Sequence, residues 1–299
     1  MILIEQFEFP NPPTFPPELV DDCRREGDYR PMLFEWYKHV GLVCNQVASI
    51  QIESPAVRKI STVHYSILVG LLNRCSRLMM ANMALSSSSN GYYGETTQII
   101  DRCIAESAIK VQWLTAKGDE ESFTRYLADG LKKDLIAKAE VMANIANRAG
   151  TQLQIETRIL KSIDDCLQTS GLSEKQVSDA KKIPDLLSMM LYLKFPEGMY
   201  TAIQKMGSHS IHGTWTDLIL HYLELDDQGA IHLRDHDVKT HHGQFVLIIY
   251  LVLRALKRFL LFMAADPSYF AEMITYFPEV QKKVHALDKE DYGKDFDRV

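Results

Sequence analysis

Residues 244–266, QFVLIIYLVLRALKRFLLFMAAD, constrain the fold more than any other stretch of this chain. The uncharged part ends at Leu253, and Arg254, Lys257 and Arg258 interrupt the remainder. A helix needs about 20 predominantly apolar residues to cross a bilayer, so stable transmembrane insertion is not expected. Two solutions remain. The run can lie at the centre of a protein, covered on nearly all sides, or at an interface as an amphipathic helix. Central burial is the simpler solution, because 46% of the 299 residues are hydrophobic and can supply the partners.

Those partners are themselves helical in pattern. Between residues 32 and 50, Leu33, Trp36, Val40, Val43 and Val47 recur at helix spacing. Residues 56–84 repeat the pattern with Val57, Ile60, Val63, Ile67, Leu71, Cys75 and Leu78. A serine and glycine run at 86–94 breaks it. Helices are then predicted at 95–116, 120–148 and 151–168, after Ser173, and at 185–194, 197–206 and 213–224. A last helix begins at Pro267. Strand is expected only in brief stretches such as 230–232. The predicted fold is all-α, a multi-helix bundle of long antiparallel helices. Residues 1–17, rich in proline, form an extended N-terminal arm. Residues 18–287 form a single helical domain, within which 151–205 can make a cap. Residues 288–299 form a flexible charged tail.

Composition narrows the function classes. The net charge of -6 removes a general basic footprint for nucleic acid, although a local patch remains open. The five cysteines have neither zinc-knuckle nor redox-motif spacing, so free thiols are the plain reading. That reading, with an N-terminus unlike a secretory signal, points to the cytoplasm. No phosphate-binding loop, dinucleotide fingerprint or nucleophile elbow is present, which disfavours nucleotide hydrolysis, nicotinamide chemistry and serine hydrolysis. No cofactor is assigned.

Three polar constellations stand out. Arg102 and Glu106 are four residues apart on a predicted helix, so they can meet. Arg102 can hold a phosphate or carboxylate, and Glu106 can orient it or accept a proton. A structural salt bridge uses the same pair. On the next helix, Arg125 can bind an anion in forked geometry, while Tyr126 can pack and donate a hydrogen bond. In the second constellation, MGSHSIHGTW at 206–215, His209, Ser210 and His212 sit between two helical segments. His212 is the candidate proton-transfer group, with His209 and Ser210 as ligand contacts. A hydrogen-bond cluster at a helix start is the alternative. The third, HLRDHDVKTHHG at 232–243, carries Arg234, Asp235 and His241. Arginine there can stabilise phosphate charge and His241 can transfer a proton. The histidines and aspartates can also bind a metal, yet there is no HExxH pair and the spacing fixes no ligand set. A solvated charged loop is the third reading.

RCIAE at 102–106, Arg125-Tyr126-Leu127 and SHSIHG at 208–213 resemble the helical DUF5677 family, whose function is unknown. The likeness extends over roughly residues 60–225. The chain is also distantly similar to HEPN-type helical proteins, which include RNA-cleaving enzymes and noncatalytic modules. Their RNase pattern is an arginine, a nearby polar residue and a histidine after four to six intervening residues, and Arg234, Asp235 and His241 meet it. The resemblance implies an RNA-processing or antiviral-type protein acting on RNA phosphodiesters. A noncatalytic ligand- or protein-binding module and a metal-dependent hydrolase are the alternatives. RNA and a second copy of the chain are the expected partners.

Overall fold

The computed structural model describes residues 10–87, 92–205, 208–234 and 238–292. It is predominantly helical, a multi-helix bundle, and its chain contacts divide into two compact units. The first comprises residues 1–116 and 186–299, and the second residues 117–185. The expected cap at 151–205 therefore does not coincide with a unit of the fold.

The first unit opens with α1 (Pro17–Glu26), which starts on a proline and stops at Gly27 in the left-handed region, φ 66°. In α2 (Arg30–Val47), Pro31 stands in the first turn, where its missing N–H leaves no bond unmade. The periodic residues Leu33, Trp36, Val40, Val43 and Val47 are all buried. α3 (Thr62–Leu85) begins later than the sequence pattern suggests. Val57 instead forms a β-bridge to Ala264, and the Arg58 N–H donates to the Met263 carbonyl at 2.8 Å, so an apolar spacing that mimics a helix belongs to a loop. α4 (Gly94–Lys117) is the next helix.

Cross-helix hydrogen bonds give the directions. Cys44 meets the Leu72 carbonyl, Ser76 the Gly41 carbonyl, and Asn82 the Tyr37 hydroxyl, so α2 and α3 are antiparallel. Arg74 with Ser107, Cys75 with the Ile104 carbonyl and Asn82 with Asp101 make α3 and α4 antiparallel. The apolar run becomes α12 (His242–Met263), buried from Phe245 to Met263 along most of its surface. Gln244 meets Asp101 and Gln112 meets the Leu251 carbonyl, so α12 runs parallel to α4. α13 (Ala271–Tyr292), entered through a 3-10 turn at Pro267–Phe270, runs antiparallel to α2, with His39 on Tyr276 and the Tyr29 N–H on Asp291. It passes Leu287 and continues to Tyr292, and Asp288 and Asp291 are drawn into contacts rather than left in a loose tail. Among the described residues no helix is long and apolar enough to cross a membrane.

Between α4 and α12 the first unit also holds α8 (Leu186–Tyr192), α9 (Glu197–Lys205), α10 (Ser208–His212) and α11 (Trp215–Asp217). The helix expected at 213–224 is shorter and irregular, helical only from Trp215 to Tyr222. Gly213 takes a positive φ of 54°, Thr214 caps a three-residue helix, and a π-helical turn at Leu218–Tyr222 leads into β1 (Leu223–Leu225). β1 pairs antiparallel with β2 (Ile231–Leu233), Glu224 opposite His232. The brief strand expected at 230–232 is part of this hairpin.

The second unit contains α5 (Glu120–Asn147), α6 (Gln154–Ser170) and α7 (Glu174–Asp179). Asp119 caps α5 by accepting the Ser122 N–H at 2.8 Å, and Ser173 with Gln176 forms a reciprocal box on α7. Ala128, Leu131 and Val177 are its core, flanked by Leu135, Leu167 and Leu172.

Candidate functional site

α2, α4 and α12 all begin at the same end of the first unit, where α3 and α13 finish. That end collects the buried polar side chains Asn82, Thr97, Asp101, Thr240 and Gln244. Asp101 on α4 is buried, and three neutral donors reach it. Asn82 Nδ2 donates at 2.6 Å and the Tyr37 hydroxyl at 3.3 Å, both to Oδ1, and Gln244 Nε2 donates to Oδ2 at 2.9 Å. Burial outweighs these bonds and lifts the Asp101 carboxyl to about 7. The same burial, with the Asp101 charge beside it, pushes the Tyr37 phenol well up. Gln244 is locked at its other end, accepting the His241 N–H at 3.0 Å, and it also donates to Thr97 Oγ1 at 3.2 Å. From Thr97 the chain of hydroxyls continues to Thr240 at 3.2 Å and on to Ser86 at 2.8 Å.

Ser86 and Thr240 line a cleft of about 300 Å³. Its apolar wall is Pro31, Phe34, Phe245 and the Tyr92 ring, and Asp28, Arg30 and Lys239 bring charge. The Phe34 and Phe245 rings meet edge to face, 6.1 Å between centroids. Arg30 is braced by Asp28 through two bonds, Nε to Oδ1 at 2.7 Å and Nη2 to Oδ2 at 2.5 Å. Those bonds hold the Asp28 carboxyl below its usual range and the Arg30 guanidinium above its own. Lys239 Nζ stands 5.6 Å from the centre of the Tyr92 ring.

The segment carrying Lys239 and Thr240 lies directly on the first turn of α4. The Gly94 N–H donates to the Val238 carbonyl at 2.7 Å. A Cβ on Gly94 would stand 2.7 Å from the Lys239 carbonyl oxygen, so only glycine permits this approach. Behind the cleft, His242 pairs through Nδ1 with Asp291 at 2.8 Å, and the Tyr29 N–H donates to the same carboxylate at 2.8 Å.

Most of the residues singled out from the sequence make contacts of their own. Arg102 and Glu106 do form a pair, Nε to Oε1 3.3 Å, partly exposed on α4. Among the described residues no hydrogen bond or ion pair joins them to His212, which is exposed on the short helix α10. His209 Nδ1 contacts Thr214 Oγ1 at 3.0 Å and Ser210 donates to Asp217 at 2.6 Å, so these two side chains organise a helix junction. Arg125 belongs to the second unit, where its Nε donates to the Lys182 carbonyl at 3.0 Å; Tyr126, its neighbour on α5, is partly buried. Arg234 Nη1 donates to the Leu220 carbonyl at 2.6 Å. Asp235 lies outside the described residues. His241 stands at the polar end, where its Nδ1 accepts the Gly243 N–H at 3.1 Å as the cap of α12. Burial, then the neighbouring His242 and the Arg30 charge, lower its pKa. Among the described residues no group of three or more His, Cys, Asp or Glu side chains is placed to hold a metal ion.

Sequence reasoning passes over Tyr37, Asn82, Thr97, Asp101 and Gln244. Their signal is positional. Asn82 continues the buried stripe of Cys75 and Met79, and Asp101 stands one turn before Ile104 and Ala105, so each is a polar residue on a core-facing position.

No curated protein and no solved structure matches the chain. A family model described as a family of unknown function, DUF5677, matches residues 65–230, more than half of the chain. The match takes in α4, the whole second unit and α10, the segments that hold RCIAE and SHSIHG, and it stops short of α12. The chain belongs to the DUF5677 family.

Proposed function

We propose that the chain binds an unpaired nucleotide of RNA in the cleft at the start of α12. One observation carries the reading: the Phe34, Tyr92 and Phe245 rings share a small cleft with Arg30 and Lys239. The Phe34 and Tyr92 rings favour a base by stacking, and Lys239, with the Asp28-braced Arg30 beside it, favours its phosphate. The hydroxyls of Ser86 and Thr240 add hydrogen-bonding partners for a sugar or a base edge. Binding without cleavage is the reading this geometry favours. Arg234 and His241, which carry the HEPN-type likeness, each have a structural task, one on the Leu220 carbonyl and one capping α12. The cytoplasm is the proposed setting, where the free thiols stay reduced.

The test is equilibrium binding of a labelled single-stranded RNA pool to the intact chain at several salt concentrations. Tyr92→Ala is expected to weaken binding by about 1–3 kcal/mol. Lys239→Ala is expected to lower the salt slope by about one. RNA affinity that neither change alters would refute the cleft as the site. Metal-independent cleavage of the pool, abolished by His241→Ala, would replace the binding reading with the nuclease one.

A further inference from the structure

The hairpin of β1 and β2 stands open to solvent. Leu233 is 83% exposed, Leu225 59% and Ile231 50%. Pairing sets Leu223 opposite Leu233 and Leu225 opposite Ile231, so these four aliphatic side chains share one face, while Glu224 and His232 share the other. The segment leading into the hairpin adds Ile211, Trp215 and Leu220, all exposed. No other stretch of similar length among the described residues exposes as many large apolar side chains. Their open surface amounts to several hundred Å², of the order of the ~800 Å² that each partner of a stable complex contributes.

The hairpin also has an open edge. The Arg234 N–H donates to the Tyr222 carbonyl at 2.9 Å and the Asp226 N–H to the Ala230 carbonyl at 3.0 Å. Backbone bonds alternate along an antiparallel pair, so the N–H and C=O groups of Ile231 and Leu233 point away from β1. Among the described residues no third strand joins the sheet, and all three residues of β2 are exposed. A two-stranded ribbon is marginal in water, and an open apolar edge is a template for another strand. Charge narrows what can cover it. Residues 208–233 carry Asp217, Glu224, Asp226 and Asp227 and no lysine or arginine, which disfavours an anionic lipid surface or a nucleic acid. Charge also selects the edge. Glu224 at the centre of β1 would face its own copy across a two-fold axis, a like-charge pair. His232 at the centre of β2 has Asp226 beside it, 2.8 Å from its Nε2.

We propose that a second copy of the chain adds its β2 to this β2 about a two-fold axis centred on His232. Ile231 of each copy then stands opposite Leu233 of the other, and the outward backbone groups of both residues bond across the axis. The product is a four-stranded antiparallel sheet in which the aliphatic side chains of two hairpins form one continuous face. It exceeds the three strands that a sheet needs for stability of its own. The contact is separate from the cleft at the start of α12 and does not depend on RNA binding.

Sedimentation equilibrium of the intact chain tests this, with twice the mass of one chain expected at micromolar concentration. Leu233→Lys puts a charge on the exposed edge without touching the core. It should weaken the dimer about tenfold or more while the far-ultraviolet circular dichroism is unchanged. Cross-linking tests the register in a Cys166→Ser background, which lacks the exposed native thiol. His232→Cys should give a disulfide-linked dimer on oxidation, because residues facing each other at a non-hydrogen-bonded position stand ~4.5 Å apart at Cα. Glu224→Cys, one strand further from the axis, should not. The proposal is overturned if the chain stays monomeric at high micromolar concentration, or if a folded Leu233→Lys protein dimerises as tightly as the parent. It is equally overturned if His232→Cys cross-links no more than Glu224→Cys. A monomer that sediments with phosphatidylcholine vesicles would also overturn it and assign the apolar face to a lipid surface.

Discussion

Asp101 shows how one buried carboxyl ties stability to pH. Its folded pKa of about 7 lies above the ordinary value of 3.8, so the folded state binds the extra proton between these limits. Its contribution is fully present below about pH 4 and is lost as pH rises through about 7. The Tyr37 hydroxyl can turn from donor to acceptor when that proton arrives, which keeps the network intact. Asp101→Asn should therefore flatten the fall in stability between pH 4 and 7, measured by urea midpoints across that range. An unchanged slope would show that Asp101 titrates normally. His39 has the opposite sign. Burial lowers it from 6.5 to about 4, so its contribution is present above pH 6.5 and lost as pH falls through about 4. His39→Gln should remove that acid-side loss, and it does not alter the Asp101 window. Gly94 matters for space rather than charge. Gly94→Ala forces the Val238 and Lys239 carbonyls away from α4 and should destabilise by about 1–3 kcal/mol. A thermal midpoint equal to that of the parent chain would contradict the close approach.

α12 is the element on which both the core and the polar end depend. Its middle is buried because apolar residues cover most of its circumference, with Arg254, Lys257 and Arg258 on the partly exposed side, and its first turn is polar where Gln244 meets Asp101 and Thr97. Gln244 has three hydrogen-bonding tasks, two as donor and one as acceptor of the His241 N–H. Gln244→Ala strips a buried carboxyl of one donor and the helix of half its capping box. The combined loss is expected to be about 2–4 kcal/mol, larger than the ~1 kcal/mol of a cap alone. A double-mutant cycle with Asp101→Asn checks the coupling, and strict additivity would show that the two side chains act separately. His241→Ala, by contrast, leaves Gln244 on Asp101 and should lose only the cap.

At the scale of the molecule the chain is two units with unequal cores. The first buries α2, α12 and parts of α3, α4 and α13, while the second rests on Ala128, Leu131 and Val177 with a few partly buried neighbours. Much of α5 and α6 is open to solvent, and surface pairs such as Lys138 with Asp164 and Glu174 add little. Amide hydrogen exchange should therefore be faster across residues 120–170 than in α2 and α12. Equal protection in the two units would show that they unfold together.

Helix spacing alone suffices for the all-α class, for the burial of most of the run between Phe245 and Met263 and for the pairing of Arg102 with Glu106. These are local properties, set by a period of 3.6 residues and by the reach of side chains four apart. Tertiary structure decided the rest. That α12 runs parallel to α4 depends on a long connection whose path no periodicity encodes, and this direction brings Gln244 to Asp101. Val57 and Ile60 continue a helical spacing, yet a bridge to Ala264 holds Val57 in a loop. The histidines of SHSIHG have the residue types of a site, but the contacts of this segment run to Thr214 and Asp217 nearby rather than to Glu106. Asp28 with Arg30, Ser86, and Thr240 with Phe245 come from three distant stretches of sequence and line one cleft because α2 and α12 begin at the end of the bundle where α3 finishes. Local spacing sets which way a side chain faces along its own helix, and only the packed chain sets what stands opposite.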